Sequence, residues 1–155
     1  MTQEDKELLL KDLCTRLPYE VRGRVKADAT VPHRYDMNGF PEETTFDVDV
    51  ELQRIDVNTD EIFVSTFDNN EDLGNYIEES QIEGSPWVIE EFKPYLRSLS
   101  SITKEELDRY EELEWSGDFV NLSIPLLDWL NKNMFDYRGL INKGLALEAP
   151  EGMYN

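Results

Sequence analysis

The feature that most constrains the fold is a regular alternation of apolar and polar residues between Thr44 and Val57. The apolar members are Phe46, Val48, Val50 and Leu52, and the polar members are Asp47, Asp49, Glu51 and Gln53. A period of two places each set on its own face of a strand, which is typical of an antiparallel sheet with one buried face. The alternation changes phase near Arg54, and this change predicts a β-bulge.

The segments on either side predict the partners of this strand. Asn58 to Asp60 has turn chemistry, and Glu61 to Phe67 is predicted to return as the second strand of a hairpin. Tyr19 to Ala27 also alternates, with Arg22, Arg24 and Lys26 on one face. If it pairs with residues 44–52, these bases oppose Asp47, Asp49 and Glu51, and the opposite charges set the register. Residues 28–43 contain Pro32, Asn38-Gly39 and Pro41 and are predicted to be a connecting loop.

Helical patterns lie at both ends of the chain. Thr2 to Leu17 predicts a helix whose buried stripe is Leu10, Leu13, Cys14 and Leu17. Ile102 to Leu113 predicts a second helix, with Thr103 and Glu106 as a capping box and Ile102 and Leu107 as a hydrophobic staple. A third begins near Ser123 or Ile124 and buries Leu126, Leu127, Leu130 and Met134. Asp136 to Lys143 predicts a short last helix that Gly144 ends, and residues 148–155 are expected to fray.

The remaining segments have weaker patterns. Residues 68–86 are acidic and irregular, with a helical turn expected at 70–79. Trp87 to Phe92 fits a strand or a short helix, and Lys93 to Leu99 is predicted to be extended. Strands that cluster before helices favour an α+β fold. We therefore expect a single domain over 1–155, with an N-terminal helix, an antiparallel sheet of three to four strands, and C-terminal helices packed on one face.

The charge is concentrated in the middle of the chain. The formal net charge is −19, and residues 42–118 hold 23 acidic and five basic residues. Direct binding of nucleic acid needs clustered Lys and Arg, and anionic membranes repel such a segment.

The single cysteine excludes an intramolecular disulfide, and neither a secretory signal nor an apolar run of about 18 residues is present. We therefore expect a cytoplasmic protein without a direct nucleic-acid or membrane partner, and the oligomeric state stays open.

The candidate site residues are few. Asp47, Asp49 and Glu51 share one strand face and could hold Mg²⁺ or Ca²⁺, but an amphipathic strand requires polar residues on its solvated face in any case. His33, the only histidine, is expected on the surface of a loop, and Cys14 is expected in the core. Neither a nucleophile elbow nor a glycine-rich phosphate loop is present. No catalytic residue, metal or cofactor is therefore predicted.

Trp115 is the aromatic residue most expected to be exposed. It follows an acidic helix and precedes Ser116-Gly117. Tryptophan is enriched at binding hot spots, so Trp115 is a candidate anchor for a partner, together with Asp47, Asp49 and Glu51 on the acidic strand face.

Three stretches carry a family resemblance: Glu4 to Leu13, Lys93 to Glu106, and Asp128 to Asn133 with Phe135 to Ile141 and Lys143 to Leu147. They resemble an uncharacterised family of short acidic proteins of gut anaerobic bacteria, often associated with phages or other mobile elements. The resemblance covers both ends, under half of the chain, and the middle, 28–92, takes no part in it. It implies an accessory role in a mobile element and assigns no site residue.

These observations favour a non-enzymatic accessory module that binds another protein, with a basic partner attracted by the acidic middle. A sharper alternative is an acidic DNA mimic that inhibits a nucleic-acid-binding protein. A second alternative is an enzyme whose site combines carboxylates such as Asp47 or Glu51 with His33.

Overall fold

A six-stranded sheet forms the centre of the computed structural model, which describes residues 1–66, 82–115 and 124–154, and residues 30–33 by their backbone alone. The strands are β1 (Arg22–Tyr35), β2 (Pro41–Asp56), β3 (Glu61–Thr66), β4 (Trp87–Val88), β5 (Lys93–Leu96) and β6 (Leu147–Glu148). Their order across the sheet is β4-β3-β2-β1-β5-β6. Neighbours run antiparallel except β5 and β6, which are parallel.

The pairing of the first two strands places the basic residues of β1 opposite the acidic residues of β2, as the sequence hypothesis expects. Arg24 lies opposite Asp49, and Val25 lies opposite Val48. The alternation places Val25, Val48 and their apolar neighbours on the buried face and the charged residues on the other face. The register between β2 and β3 shifts between Leu52 and Arg54, which confirms the predicted bulge and the returning strand.

The predicted loop over 28–43 is wrong, because both strands continue through it. β1 runs to Tyr35 and β2 starts at Pro41, so only 36–40 form the turn. The Asp36 carboxylate accepts hydrogen bonds from the backbone N–H of Asn38 and Phe40, at 2.8 and 2.9 Å. Gly39 has a φ of +82°, which a glycine adopts without steric cost. Asn38-Gly39 therefore closes a tight hairpin instead of interrupting the strands.

Three helices lie in the described ranges: α1 (Gln3–Arg16), α2 (Lys104–Trp115) and α3 (Ile124–Lys132). Two 3-10 turns, Ile89–Glu91 and Leu99–Ser101, flank β5. The α+β class is confirmed. The expected three to four strands are too few, because β4 and β6 have only two residues each and show no alternation. None of the helices in the described ranges combines the length and apolarity needed to cross a bilayer.

The apolar side chains form two clusters. The larger one joins the inner face of the sheet to Leu9 and Leu13 of α1. The smaller one joins α2 and α3 through Leu113, Leu126, Leu130 and Phe135. The expected layer of C-terminal helices on one face of the sheet is therefore wrong, because the apolar residues of α2 and α3 form a cluster separate from the one on the sheet.

The buried stripe of α1 differs from the predicted one. Asp12 and Arg16 are fully buried beside Leu9 and Leu13, whereas Cys14 is exposed. Arg16 Nε lies 2.7 Å from Asp12 Oδ2, so the two charges neutralise each other inside the structure. The expectation that Cys14 is a core residue is wrong because this ion pair occupies the inward positions.

The C-terminal segment is more ordered and less helical than predicted. Residues 136–143 form turns, in which the Asp136 carboxylate accepts hydrogen bonds from the backbone N–H of Leu140 and Ile141. Gly144 ends them with a φ of +70°. Residues 148–154 are held to the sheet and do not fray, since Ala149 N donates to Leu96 O at 2.8 Å. The predictions for 70–79 and for Ser123 fall outside the described residues.

Candidate protein-interaction surfaces

The structure brings two of the three predicted strand carboxylates together around one guanidinium. Arg24 Nε donates to Asp49 Oδ1 at 2.9 Å, and Arg24 Nη1 lies 3.5 Å from Asp47 Oδ2. The hydroxyl of Tyr95 donates to the same Asp49 oxygen at 2.8 Å, and its ring lies beneath the guanidinium. Glu51 lies apart from this group, opposite Arg22, and its carboxylate accepts a hydrogen bond from Gln53.

This arrangement neutralises the carboxylates internally. The hydrogen bond to Asp49 raises the pKa of Arg24, and burial together with Asp49 raises the pKa of Tyr95 well above its usual range. A cation bound at Asp47 and Asp49 would have to displace Arg24. Within residues 1–66, 82–115 and 124–154, no three carboxylate, imidazole or thiol side chains are grouped to hold a metal ion.

The remaining candidate groups do not extend this cluster. His33 lies in β1 instead of a loop, and its side chain is outside the described ones. Cys14 lies on the outer side of α1, where desolvation raises the pKa of its thiol. A thiol with a raised pKa stays protonated at neutral pH and is a weak nucleophile.

Trp115 stands at the end of α2 with 86% of its surface exposed, which confirms the predicted exposure. Glu111 and Glu112 precede it by four and three residues, and this spacing places their side chains on the same side of the helix. Asp108 lies a further turn back, and Leu107 is 44% exposed beside it. We call Leu107, Asp108, Glu111, Glu112 and Trp115 the outer face of α2.

The inner side of α2 is firmly attached, which leaves the outer face to solvent. Arg97 binds both oxygens of Glu106, at 2.7 and 2.9 Å, and Thr103 and Glu106 form the predicted capping box. The Arg97 guanidinium, with a smaller contribution from Thr103, lowers the pKa of Glu106 to about 2. Further along the helix, Tyr110 and Leu113 pack into the smaller apolar cluster.

The charges of α2 are poorly suited to the stability of the helix itself. The last turn contains no basic residue. It does contain Glu112 and Glu114, although a helix C-terminus favours cations. Arg109 pairs with Glu112, and both side chains are largely exposed. The pair with Arg109 offsets the unfavourable position of Glu112. Local helix stability leaves Glu111 and Glu114 near Trp115 unexplained, and residues that break a local rule are often functional.

A second exposed surface, which the sequence patterns did not predict, lies at the β1–β2 turn. Tyr35, Met37 and Phe40 are 65%, 104% and 67% exposed. We call residues 35–40 the hairpin tip. Three large apolar residues around an Asn-Gly turn, where polar residues are usual, are the sequence signal that could have identified it.

Two clefts, each of about 380 Å³, flank Tyr154 near the C-terminus. The Tyr154 hydroxyl donates to Tyr95 O at 3.0 Å and accepts a hydrogen bond from Arg22 N at 3.2 Å, and burial raises its pKa to about 12. In the cleft that Arg97 lines, that guanidinium already binds Glu106. The polar groups around Tyr154 therefore anchor the C-terminal segment to the sheet.

Comparisons of the chain with protein-family models, with curated proteins and with solved structures found no match. The two exposed surfaces are therefore the features of the molecule that bear on its function.

Proposed function

We propose that this protein is a non-enzymatic accessory module of the cytoplasm that binds a basic protein through the outer face of α2. The observation that carries the proposal is the 86% exposure of Trp115 on a helix face that also presents Asp108, Glu111 and Glu112. An indole ring gains free energy when it leaves water, and its π face attracts guanidinium and ammonium groups. Neighbouring carboxylates add charge-assisted hydrogen bonds to the same cation.

The charge of the whole chain supports the same partner. A net charge of −19 attracts a basic surface over several ångströms and accelerates association. Tryptophan and arginine are the residue types that most often dominate binding energy when they pair across an interface. The resemblance to phage-associated proteins adds the accessory context, in which a small module acts on a larger protein.

The proposal is tested by capture of partners from a lysate of the source organism, with wild-type protein compared with Trp115→Ala and with Asp108→Asn/Glu111→Gln. We expect wild-type protein to retain a basic protein at low salt and to release it as salt screens the charges. Trp115→Ala should weaken the purified pair at least about tenfold, the loss expected for one interfacial hot spot.

Matched controls separate this surface from general acidity. Val57→Ala truncates another exposed apolar residue, and Glu4→Gln/Glu7→Gln removes two charges from another helix. Both controls should bind as wild type does. If Glu4→Gln/Glu7→Gln weakens binding as much as Asp108→Asn/Glu111→Gln does, then the total charge, and not the outer face of α2, holds the partner. The proposal would then fail.

A second candidate function, DNA mimicry, is favoured by one observation on the same helix. Glu105, Asp108 and Glu112 are exposed and follow a spacing of three and four residues, which aligns their carboxylates in a row. Such a row could occupy the phosphate-binding surface of a nucleic-acid-binding protein. Duplex DNA should then compete with the protein for its partner, whereas binding that DNA does not affect would exclude mimicry and leave the main proposal intact.

A further inference from the structure

The hairpin tip presents an apolar surface that nothing in the described structure covers. Residues 34–43 are exposed on both faces of the β1–β2 hairpin, unlike Val25 and Val48 nearer its base, which are buried. Met37 is fully exposed, and Tyr35 and Phe40 flank it. Three large, exposed apolar side chains within six residues at the end of a hairpin are typical of an interaction site, because each of them gains free energy when it leaves water.

Hydrogen bonds within the turn define the conformation that presents these side chains. Asp36 Oδ1 binds two backbone N–H groups of the turn, and Asp36 N donates to Phe40 O at 2.8 Å. Gly39 N donates back to Asp36 O at 3.1 Å. A loop that is ordered before binding loses little conformational entropy when it binds, so its apolar contacts contribute more fully to affinity.

The shape and charge of the tip define its partner. A convex apolar tip fits a concave apolar pocket. Residues 34–43 carry three acids, Asp36, Glu42 and Glu43, and one arginine, so the rim of that pocket should be basic. A second copy of a chain with a net charge of −19 lacks this complementarity, and acidic residues beside the tip disfavour anionic lipid.

We infer that the hairpin tip inserts Tyr35, Met37 and Phe40 into an apolar, basic-rimmed pocket on another protein. This contact is separate from the outer face of α2 and does not depend on it. The tip would supply affinity by apolar burial, and the acids behind it would orient the approach.

The chain offers a matched pair of labelling sites for the test. Cys14 is the only cysteine, so Cys14→Ser/Asn38→Cys places a single thiol in the tip. Cys14→Ser/Asn58→Cys places it in the β2–β3 turn. Both asparagines donate their backbone N–H to an aspartate two residues earlier, Asp36 or Asp56, so the two turns have the same local construction. Each thiol is labelled with benzophenone maleimide and irradiated in lysate.

We expect the label at position 38, and not the label at position 58, to form an adduct with one protein. That protein is then purified, and its affinity for unlabelled variants of this chain is measured by titration. Phe40→Ala should weaken that binding at least tenfold, and Val57→Ala, in the control turn, should change it less than twofold. Raising the salt concentration should weaken it as well, because the rim contacts are charged. Trp115→Ala reports separately on the α2 surface, so failure of one surface does not imply failure of the other.

Four results would overturn the inference. The first is equal labelling from both turns. The second is an adduct between two copies of the chain, together with a dimer detected by light scattering. The third is an adduct partner whose affinity is unchanged by Phe40→Ala. The last is Phe40-dependent flotation with phosphatidylcholine vesicles, which would assign the tip to a membrane.

Discussion

At the scale of single residues, Glu106 combines two structural interactions in one carboxylate. Its carboxylate caps the start of α2 through Thr103 N and binds both donor nitrogens of Arg97. The Arg97 guanidinium also stacks on Phe135, which belongs to the smaller apolar cluster. One side chain therefore fixes the position of α2 relative to β5 and to the C-terminal segment.

We predict that Glu106→Gln lowers the free energy of unfolding at pH 7 by about 1 to 2 kcal/mol, less than the full pKa shift corresponds to because solvent reaches the pair. The folded pKa is about 2 and the ordinary value is 4.5, so the stabilisation is present above pH 4.5 and is lost as the pH falls toward 2. Urea titrations of both proteins from pH 7 to pH 2.5 should show the difference shrinking below pH 4.5. A difference that is constant with pH would contradict the ionic origin.

Gly23 is constrained by close packing and not by its backbone angles. A Cβ at this position would overlap the ring of Phe92 and lie 2.7 Å from the Lys93 carbonyl oxygen. We predict that Gly23→Ala lowers the free energy of unfolding by about 2 to 4 kcal/mol, since β1 and β5 would have to separate. Gly139→Ala is the matched comparison, because a Cβ there meets nothing within 4 Å and only the positive φ of 73° opposes it. It should cost about 1 kcal/mol, and equal costs in thermal unfolding would refute the packing argument.

At the scale of elements, α1 is attached to the rest of the molecule by a buried charge cluster. Asp12 binds Arg16 through both of its carboxylate oxygens, and Arg138 Nε lies 3.1 Å from Asp12 Oδ1. Arg16 also donates to the Phe135 carbonyl at 2.8 Å. The cluster therefore links the first helix to the segment after α3, across more than a hundred residues of chain.

We predict that Asp12→Asn destabilises the protein by about 3 to 5 kcal/mol, because it leaves the buried Arg16 charge without its counterion. The double variant Asp12→Leu/Arg16→Met should be more stable than Asp12→Asn, since it removes both charges and also Arg16 Nη1, which has no hydrogen-bond partner among the described residues. Urea unfolding of the three proteins measures both effects. A double variant that is less stable than Asp12→Asn would show that the hydrogen bond to Phe135 matters more than the buried charge.

The charged face of the β1–β2 hairpin makes a separate prediction. Arg24→Glu would place a third carboxylate beside Asp47 and Asp49, and we expect a loss of about 1 to 2 kcal/mol at low salt from two lost pairs and new repulsion. Lys26→Glu reverses a more exposed base on the same strand and should cost less. Adding Asp49→Arg to Arg24→Glu should recover part of the loss in chemical denaturation. Unchanged stability at low salt would remove the argument that these pairs set the register.

At the scale of the whole molecule, the distribution of charge opposes folding. The acids of residues 42–118 are brought into one compact body, and their mutual repulsion is greatest when few ions screen it. The internal pairs of Arg24, Arg97 and Lys6 neutralise only some of them.

We predict that raising NaCl from about 0.01 M to about 0.15 M stabilises the protein, because the screening length falls from about 30 Å to about 8 Å. A gain of about 1 kcal/mol corresponds to a rise in Tm of about 2 to 4 °C for a chain of this size. The same titration at pH 4, where many carboxylates are protonated, should show a smaller gain. A Tm that falls with salt would indicate that attractive pairs, and not repulsion, dominate.

The sequence by itself determined the elements whose patterns are local. The alternation that begins at Thr44, its change of phase near Arg54 and the capping box of α2 were predicted, because each depends on residues within one strand or one helix turn. The opposition of the basic face of β1 to the acidic face of β2 was a hypothesis of the same local kind, and the strand pairing agrees with it. The exposure of Trp115 was predicted for the same reason, from its place at the end of an acidic helix.

Only the tertiary structure decided what depends on distant partners. It buries Asp12 and Arg16 and exposes Cys14, because the counterion and the Phe135 carbonyl compensate a charge that local patterns would place in water. It adds β4 and β6, which are too short to have a period and exist only where a longer strand offers free backbone groups. It also reveals the hairpin tip as a surface, since a turn exposes Tyr35, Met37 and Phe40 only when no other part of the chain folds over them.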